Sequence, residues 1–198
     1  MPRLAALARP GEKGVRVWVE DEHRYGLMSV VRRCWTLKGR RPTVPYQTKF
    51  EWGYVYGALE VSRGQAEFLY TPTVSLAWSA AFLNQLVATA PEALHVVIWD
   101  RAGFHLTADS PHLPAAVRVL PLPAYSPELN PVEPLWDPVK RRIANDAWET
   151  LAKLEEARTE VLQPFWEQAA LVKSLLGKSW LTRGVSDFLS HRNRIVFN

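Results

Sequence analysis

Cysteine is almost missing from this chain: a single residue, Cys34, excludes an internal disulfide framework and any thiolate-rich zinc site. It reads as an ordinary strand residue. No uninterrupted apolar stretch reaches the roughly 18 residues of a membrane helix. The LAALA near the start is shorter than a signal-peptide core. The expectation is a cytoplasmic protein with no membrane partner. HExxH, a Walker loop and GxSxG are all absent. Of the five histidines, only His105 stands near a candidate acid in sequence, which ranks zinc hydrolysis low.

What is present suits a packed globule. The 198 residues fit one well-buried domain, and 47% hydrophobic content with nine Trp is far from a disordered composition. The net charge of +4 is modest, but the basic residues cluster. Arg32, Arg33, Lys38, Arg40 and Arg41 form one group, Lys140, Arg141 and Arg142 a second, and Arg183, Arg192 and Arg194 a third. Such clusters suit a polyanion. A solvated charged face is the alternative for any one of them.

Val15 to Val19 alternate as a strand with one face on a core. Asp21 falls on the valine parity, so its carboxylate is expected on the protected face, where a cation or donors must meet it. Residues 27–37, 51–60 and 65–71 read as further strands, with the breaker-rich KGRRPTVP as a loop between them. Leu76, Ala80, Leu83, Leu86, Val87 and Ala90 then recur at helical spacing, with Thr73 or Ser75 as N-cap. HVVIWD reads as a strand buried on both faces, and AAVRVLPLP as another strand. Helices fill the rest, including one over Leu151 to Phe165 that Pro164 ends or bends. A helix between the early strands and HVVIWD permits parallel pairing. That pairing would set two Asp-bearing strand ends side by side, at the edge where open α/β sheets hold ligands.

Three acids stand out: Asp21 closing VRVWVED, Asp100 closing HVVIWD, and Glu133 in AYSPELNPVEPLW. Around Glu133, Asn130 suits an N-cap and Pro131 the first helical position, which places Glu133 at N3 as a capping acid. Pro138 is expected to bend that helix. Lys140, Arg141 and Arg142 follow about two turns later, within reach of flanking phosphates. Magnesium takes hard oxygen ligands from few carboxylates and leaves positions for water and phosphate. Two ions about 3.5–4 Å apart serve both oxygens of a displacement. Three converging carboxylates fit a metal-dependent nuclease or strand-transferase. A glycosidase also uses paired carboxylates, and spacing alone leaves it open.

WVEDEHRYGL, IWDRAGFH and LPAYSPELNPVEPLWDPVKRRI, in that order, resemble the DDE catalytic domain of mariner-superfamily transposases, especially the bacterial IS-six-thirty branch. The likeness runs over about residues 15–160. It implies an α/β, RNase H-like fold: a mixed sheet of antiparallel and parallel strands flanked by helices, with a helical C-terminal extension, in one domain over 1–198. It implies two Mg²⁺ or Mn²⁺ ions held by Asp21, Asp100 and Glu133, cleavage of double-stranded DNA at transposon ends, and strand transfer into target DNA. Glu22 matches an acid that often follows the first. His105 matches a histidine common after the second, and is placed with Lys38, Arg40, Arg41, Lys140, Arg141 and Arg142 among candidate DNA contacts. Arg101 stands where related chains often carry Asn. Tyr125, Ser126, Pro127 and Asn130 are expected to shape the loop, and Trp35 lies in a segment that could touch DNA. Relatives carry helix-turn-helix domains before the first acid. Only 20 residues precede Asp21, so end recognition is expected from a separate helix-turn-helix polypeptide, with a homodimer left open and the bacterial nucleoid as location. A non-catalytic nucleic-acid-binding remnant and a repair or RNA nuclease are the alternatives.

Overall fold

The computed structural model describes residues 14–124 and 127–195. Five strands, β1 (Val15–Gly26), β2 (Trp52–Glu60), β3 (Ala66–Thr71), β4 (Leu94–Trp99) and β5 (Val117–Pro121), make one sheet in the order β3-β2-β1-β4-β5. β1–β2 and β2–β3 pair antiparallel, and β1–β4 and β4–β5 pair parallel. Helix α1 (Leu76–Ala88) leads into β4, with Ser75 capping it by accepting a hydrogen bond from Trp78 N. That helix supplies the length a parallel crossover needs. After β5 come a 3₁₀ turn at Glu133–Leu135 and then α2 (Trp136–Ile143), α3 (Leu151–Glu167), α4 (Ala169–Leu175) and α5 (Ser179–Ile195). Among the described residues, no helix is long and apolar enough to cross a membrane.

The first strand differs from the sequence expectation in two respects. It runs on past Asp21 to Gly26, because β2 supplies an antiparallel partner for that whole stretch. Both of its faces are covered, not one. Val17, Val19 and Tyr25 pack with Leu135, Trp136, Val139, Leu154 and Leu162 on one side. Trp18 packs with Tyr56, Phe82, Leu83, Leu86 and Leu106 on the other. Full burial of such a side chain contributes about 1.5–3 kcal/mol, so the two layers together clamp β1 at the centre of the molecule.

Residues 27–37 do not form the expected strand. The segment joining β1 to β2 leaves the sheet as an extended arm, tied at its root by Leu27 N to Glu51 O and Ser29 N to Gln47 O. Val31, Trp35, Leu37, Tyr46 and Phe50 are exposed along it. A high β-propensity makes a strand only where a partner strand and a buried face exist. KGRRPTVP is the loop expected, and it opens on a turn in which Gly39 takes φ +82° and Arg40 N donates to Leu37 O.

Two proline expectations also change. α2 begins at Trp136, after the 3₁₀ turn, so Pro138 occupies the first helical turn. Its missing N–H falls among the first-turn donors that a helix leaves without an intrahelical acceptor, so the position tolerates proline. Pro164 does not end α3, which continues to Glu167 before Gln168 N closes on Pro164 O.

Candidate active site

The parallel register of β1 and β4 pairs Val19 with Ile98. Two residues further along both chains, Asp21 comes level with Asp100, just beyond the end of β4. Glu133 opens the 3₁₀ turn before α2 and is exposed. Asp21 lies within electrostatic reach of both Asp100 and Glu133. Burial is the main cause that lifts the Asp21 pKa to about 7, a hydrogen bond from Trp136 opposes it, and Glu133, Glu22 and Asp100 each push it further up. Among the described residues, the group whose possible ligand atoms all lie within 4.8 Å of one another is a different one, Glu20, Glu22 and His105.

Each acid has its own support. Trp136 Nε1 donates to Asp21 Oδ2 at 2.7 Å, so α2 orients the carboxylate at the centre of the sheet. The indole reaches β1 over Gly57, the β2 residue paired with Asp21. A Cβ at Gly57 would stand 2.8 Å from Trp136 Cη2, so only glycine admits the ring without a shift. His23 packs against Trp136 with centroids 5.3 Å apart and the rings tilted by 30°, and accepts from Arg158 Nη1 at 3.1 Å. Burial, then Arg158 and Lys140, depress its pKa to about 3, which keeps it neutral.

The loop before Glu133 is anchored through Asn130, which is buried. Its Nδ2 donates to Glu20 O at 3.1 Å and its Oδ1 accepts from Val132 N at 3.1 Å. Asn130 is therefore not the expected N-cap, nor Glu133 an N3 acid: the 3₁₀ turn starts at Glu133 with Val132 before it, and Asn130 instead ties the preceding loop to β1. Of the other loop-shaping residues, Tyr125 and Ser126 lie outside the described residues.

Asp100 is oriented from behind. Its Oδ1 accepts from Ala102 N at 2.8 Å and meets His105 Nδ1 at 3.0 Å. The His105 bond, and after it the Ala102 N–H, hold its carboxyl below the usual aspartate range against the opposing effect of burial. His105 is itself buried, stacked on Trp99 at 4.3 Å with the rings 1° from parallel. Its Nε2 lies 2.7 Å from Glu22 Oε1 and 3.7 Å from Glu20 Oε2. Burial works against its charge, but Asp100, Glu22 and Glu20 together outweigh burial and raise its pKa to about 11. The loop that carries it is pinned by Ser79 Oγ of α1, which donates to Phe104 O at 2.7 Å. Glu20 is fully buried, and burial followed by repulsion from Glu22 raises its pKa well above the carboxylate range.

The basic candidates divide by setting. Lys38, Arg40 and Arg41 are exposed on the arm. Arg141 is exposed on α2 and Lys140 half-buried beside it. Arg142 faces α3, with Nη2 3.5 Å from Glu160 and its guanidinium over Trp148. His105, grouped with them from sequence, has both ring nitrogens engaged inside the protein. Sequence reasoning missed Glu20 and Gly57. The signal for Glu20 was Trp18 on the same parity, since a tryptophan there marks a second buried face.

Residues 16–155 match the family described as DDE superfamily endonuclease. The uncharacterized protein y4pE/y4sA of Sinorhizobium fredii (strain NBRC 101917 / NGR234) is 33% identical over 86 residues, covering 43% of this chain and 63% of that protein. Among solved structures, the Mos1 mariner paired-end complex with Mn aligns with a TM-score of 0.54 at 16% identity, over 82% of this chain and 54% of that one. The Mos1 transposase paired-end complex with left transposon end gives 0.52 at 16%, over 82% and 56%. The complex with Mg gives 0.52 at 17%, over 82% and 54%. The chain therefore spans little more than half the length of the Mos1 chains it matches. These likenesses place the mixed sheet and its flanking helices in the RNase H-like class. Because the matched stretch of sequence takes in well over half the chain, from β1 through the start of α3, the protein belongs to the DDE superfamily endonuclease family.

Proposed function

We propose that this chain is the catalytic domain of a transposase, which cleaves double-stranded DNA at transposon ends and joins the freed end to target DNA. The observation that carries the proposal is the β1–β4 register, which sets Asp21 level with Asp100 while Glu133 acts on Asp21 from the turn before α2. Three carboxylates, one of them half-buried and of raised proton affinity, are a donor set suited to Mg²⁺ or Mn²⁺. Asp21, Asp100 and Glu133 are the proposed ligands of two such ions. When bound, the ions activate the attacking oxygen and stabilise the leaving one.

The chain's own residues do the positioning. Trp136 aims the Asp21 carboxylate, His105 and Ala102 N aim that of Asp100, and Asn130 holds the turn bearing Glu133 against β1. Lys38, Arg40 and Arg41 on the arm and Lys140 and Arg141 on α2 are the proposed phosphate contacts, which fix the position of the duplex without reading its sequence. Recognition of transposon ends, expected from a helix-turn-helix polypeptide, is proposed to lie outside the fold described, and pairing of two copies at paired ends belongs to the same proposal. The Mos1 complexes, solved with transposon ends, Mn or Mg, favour this reading over a repair or RNA nuclease.

Nicking of supercoiled plasmid tests it. Divalent-dependent nicking is expected with Mn²⁺ or Mg²⁺. Asp100→Asn should lower it by about a hundredfold or more, since a metal's electrostatic effect amounts to several kcal/mol. Equal nicking by Asp100→Asn, or a preference for an RNA–DNA hybrid over duplex DNA, would reject the assignment.

A further inference from the structure

Glu20 faces the His105 imidazole at 3.7 Å, beyond hydrogen-bond reach. It is fully buried, and neither oxygen has a hydrogen-bond partner. It lies on the face of β1 opposite Asp21, two residues from Glu22 and therefore on the same side. Ligand atoms of Glu20, Glu22 and His105 gather within 4.8 Å. Two carboxyls confront one imidazole here, and charge on a group so buried is costly unless a counter-charge meets it.

The spacing suits a shared cation. Donor atoms bound to one first-row ion at about 2.1 Å stand about 3.0–3.4 Å from each other. The separations from His105 Nε2, 2.7 Å to Glu22 and 3.7 Å to Glu20, bracket that range. On its far side, His105 Nδ1 meets Asp100 Oδ1 at 3.0 Å and the Asp100 carbonyl oxygen at 3.1 Å. A carboxylate or carbonyl behind the imidazole is the arrangement that orients a metal-binding histidine and leaves Nε2 free to ligate.

We infer that Glu20, Glu22 and His105 bind one divalent transition cation, of the Mn²⁺ or Zn²⁺ kind, at a site distinct from the proposed Asp21–Asp100–Glu133 triad. An imidazole with two carboxylates is a mixed donor set that suits these ions better than Mg²⁺, which prefers oxygen alone. As the cation enters, the proton between His105 and Glu22 leaves to solvent. The site joins β1 to the loop that presents Asp100, so the ion would fix the reach of that acid. The inference stands on these three side chains whether or not the triad is catalytic.

The test is Mn²⁺ titration of the full chain carrying Asp21→Asn and Glu133→Gln, followed by electron paramagnetic resonance. One tightly bound Mn²⁺ with hyperfine coupling to a directly ligated imidazole nitrogen is expected, since the triad holds no nitrogen donor. Glu20→Gln added to this background should weaken binding by at least about tenfold, and His105→Gln should abolish the nitrogen coupling. No retained Mn²⁺, or a bound ion without nitrogen coupling, would overturn the site. The coupling is read with all three ligands present, so it does not depend on whether the added variants fold. If the natural chain nicks DNA and the coupling is absent, this site alone fails; if the coupling is present and the natural chain does not nick, the transposase reading alone fails.

Discussion

Replacing Asp21 by Asn should stabilise the protein, and the gain should depend on pH. The change keeps the size of the side chain and an oxygen to accept from Trp136 Nε1, but removes the charge. Burial, with repulsion from Glu133, Glu22 and Asp100, holds the Asp21 pKa at about 7, against about 3.9 in an unfolded chain. A carboxyl whose pKa rises on folding holds its proton more tightly in the native state. The stability it contributes is complete below about pH 4, falls as the pH climbs to about 7, and is level beyond. About three pH units at 1.36 kcal/mol each set an upper figure of about 4 kcal/mol. Urea unfolding from pH 4 to 8 without divalent ions measures it. Asp21→Asn is expected to exceed the natural chain by up to about 4 kcal/mol at pH 8, with the two converging near pH 4. Glu20, whose pKa is also raised, is present in both chains, so its contribution largely cancels. Adding Mn²⁺ should narrow the gap at pH 8, because ions held through Asp21 favour only the natural chain's native state, whereas an ion at Glu20, Glu22 and His105 favours both chains alike. An Asp21→Asn chain no more stable than the natural one at pH 8, or a gap that persists at pH 4, would refute the reasoning.

Trp136→Phe removes the donor to Asp21 Oδ2. A hydrogen bond to a charged group contributes about 1.5–3 kcal/mol, so the Asp21 pKa should rise by about 1–2 units and Mn²⁺ affinity at pH 7 should fall by roughly tenfold. Calorimetric titration at pH 7 and pH 9 separates causes: the loss shrinks at pH 9 if proton competition is responsible, and is equal at both if packing alone is. For DNA, charge reversal at Arg40, Arg41 and Arg141 should weaken binding and reduce the salt slope by about 0.9 for each phosphate no longer neutralised. Arg142, engaged with Glu160 and Trp148, should change that slope least. A slope unchanged by the three exposed reversals would remove them from the interface.

Much of this arrangement was legible in the chain. An unbroken apolar run ending in Asp100 suits a strand covered on both faces, and the helical period before it supplied a crossover, so parallel pairing with β1 followed. What escaped the sequence depends on contacts distant along the chain. Whether β1 stopped at Asp21 turned on β2, which pairs it through Gly26. The V-R-V-W-V alternation suggested one buried face, although α1 covers the other and makes Trp18 and Glu20 interior. Residues 27–37 have strand-forming side chains but no neighbouring strand to pair with. Trp136 is a core residue, yet its indole N–H also serves Asp21, and Gly57 admits it. No local pattern carries either fact.

The convergence of Asp21, Asp100 and Glu133 on divalent ions is tested most directly by anomalous scattering from crystals of the natural chain soaked in Mn²⁺. The account expects peaks within coordinating distance of oxygens from all three side chains. Saturating Mn²⁺ with no peak between them, or peaks that touch none of the three, would contradict it.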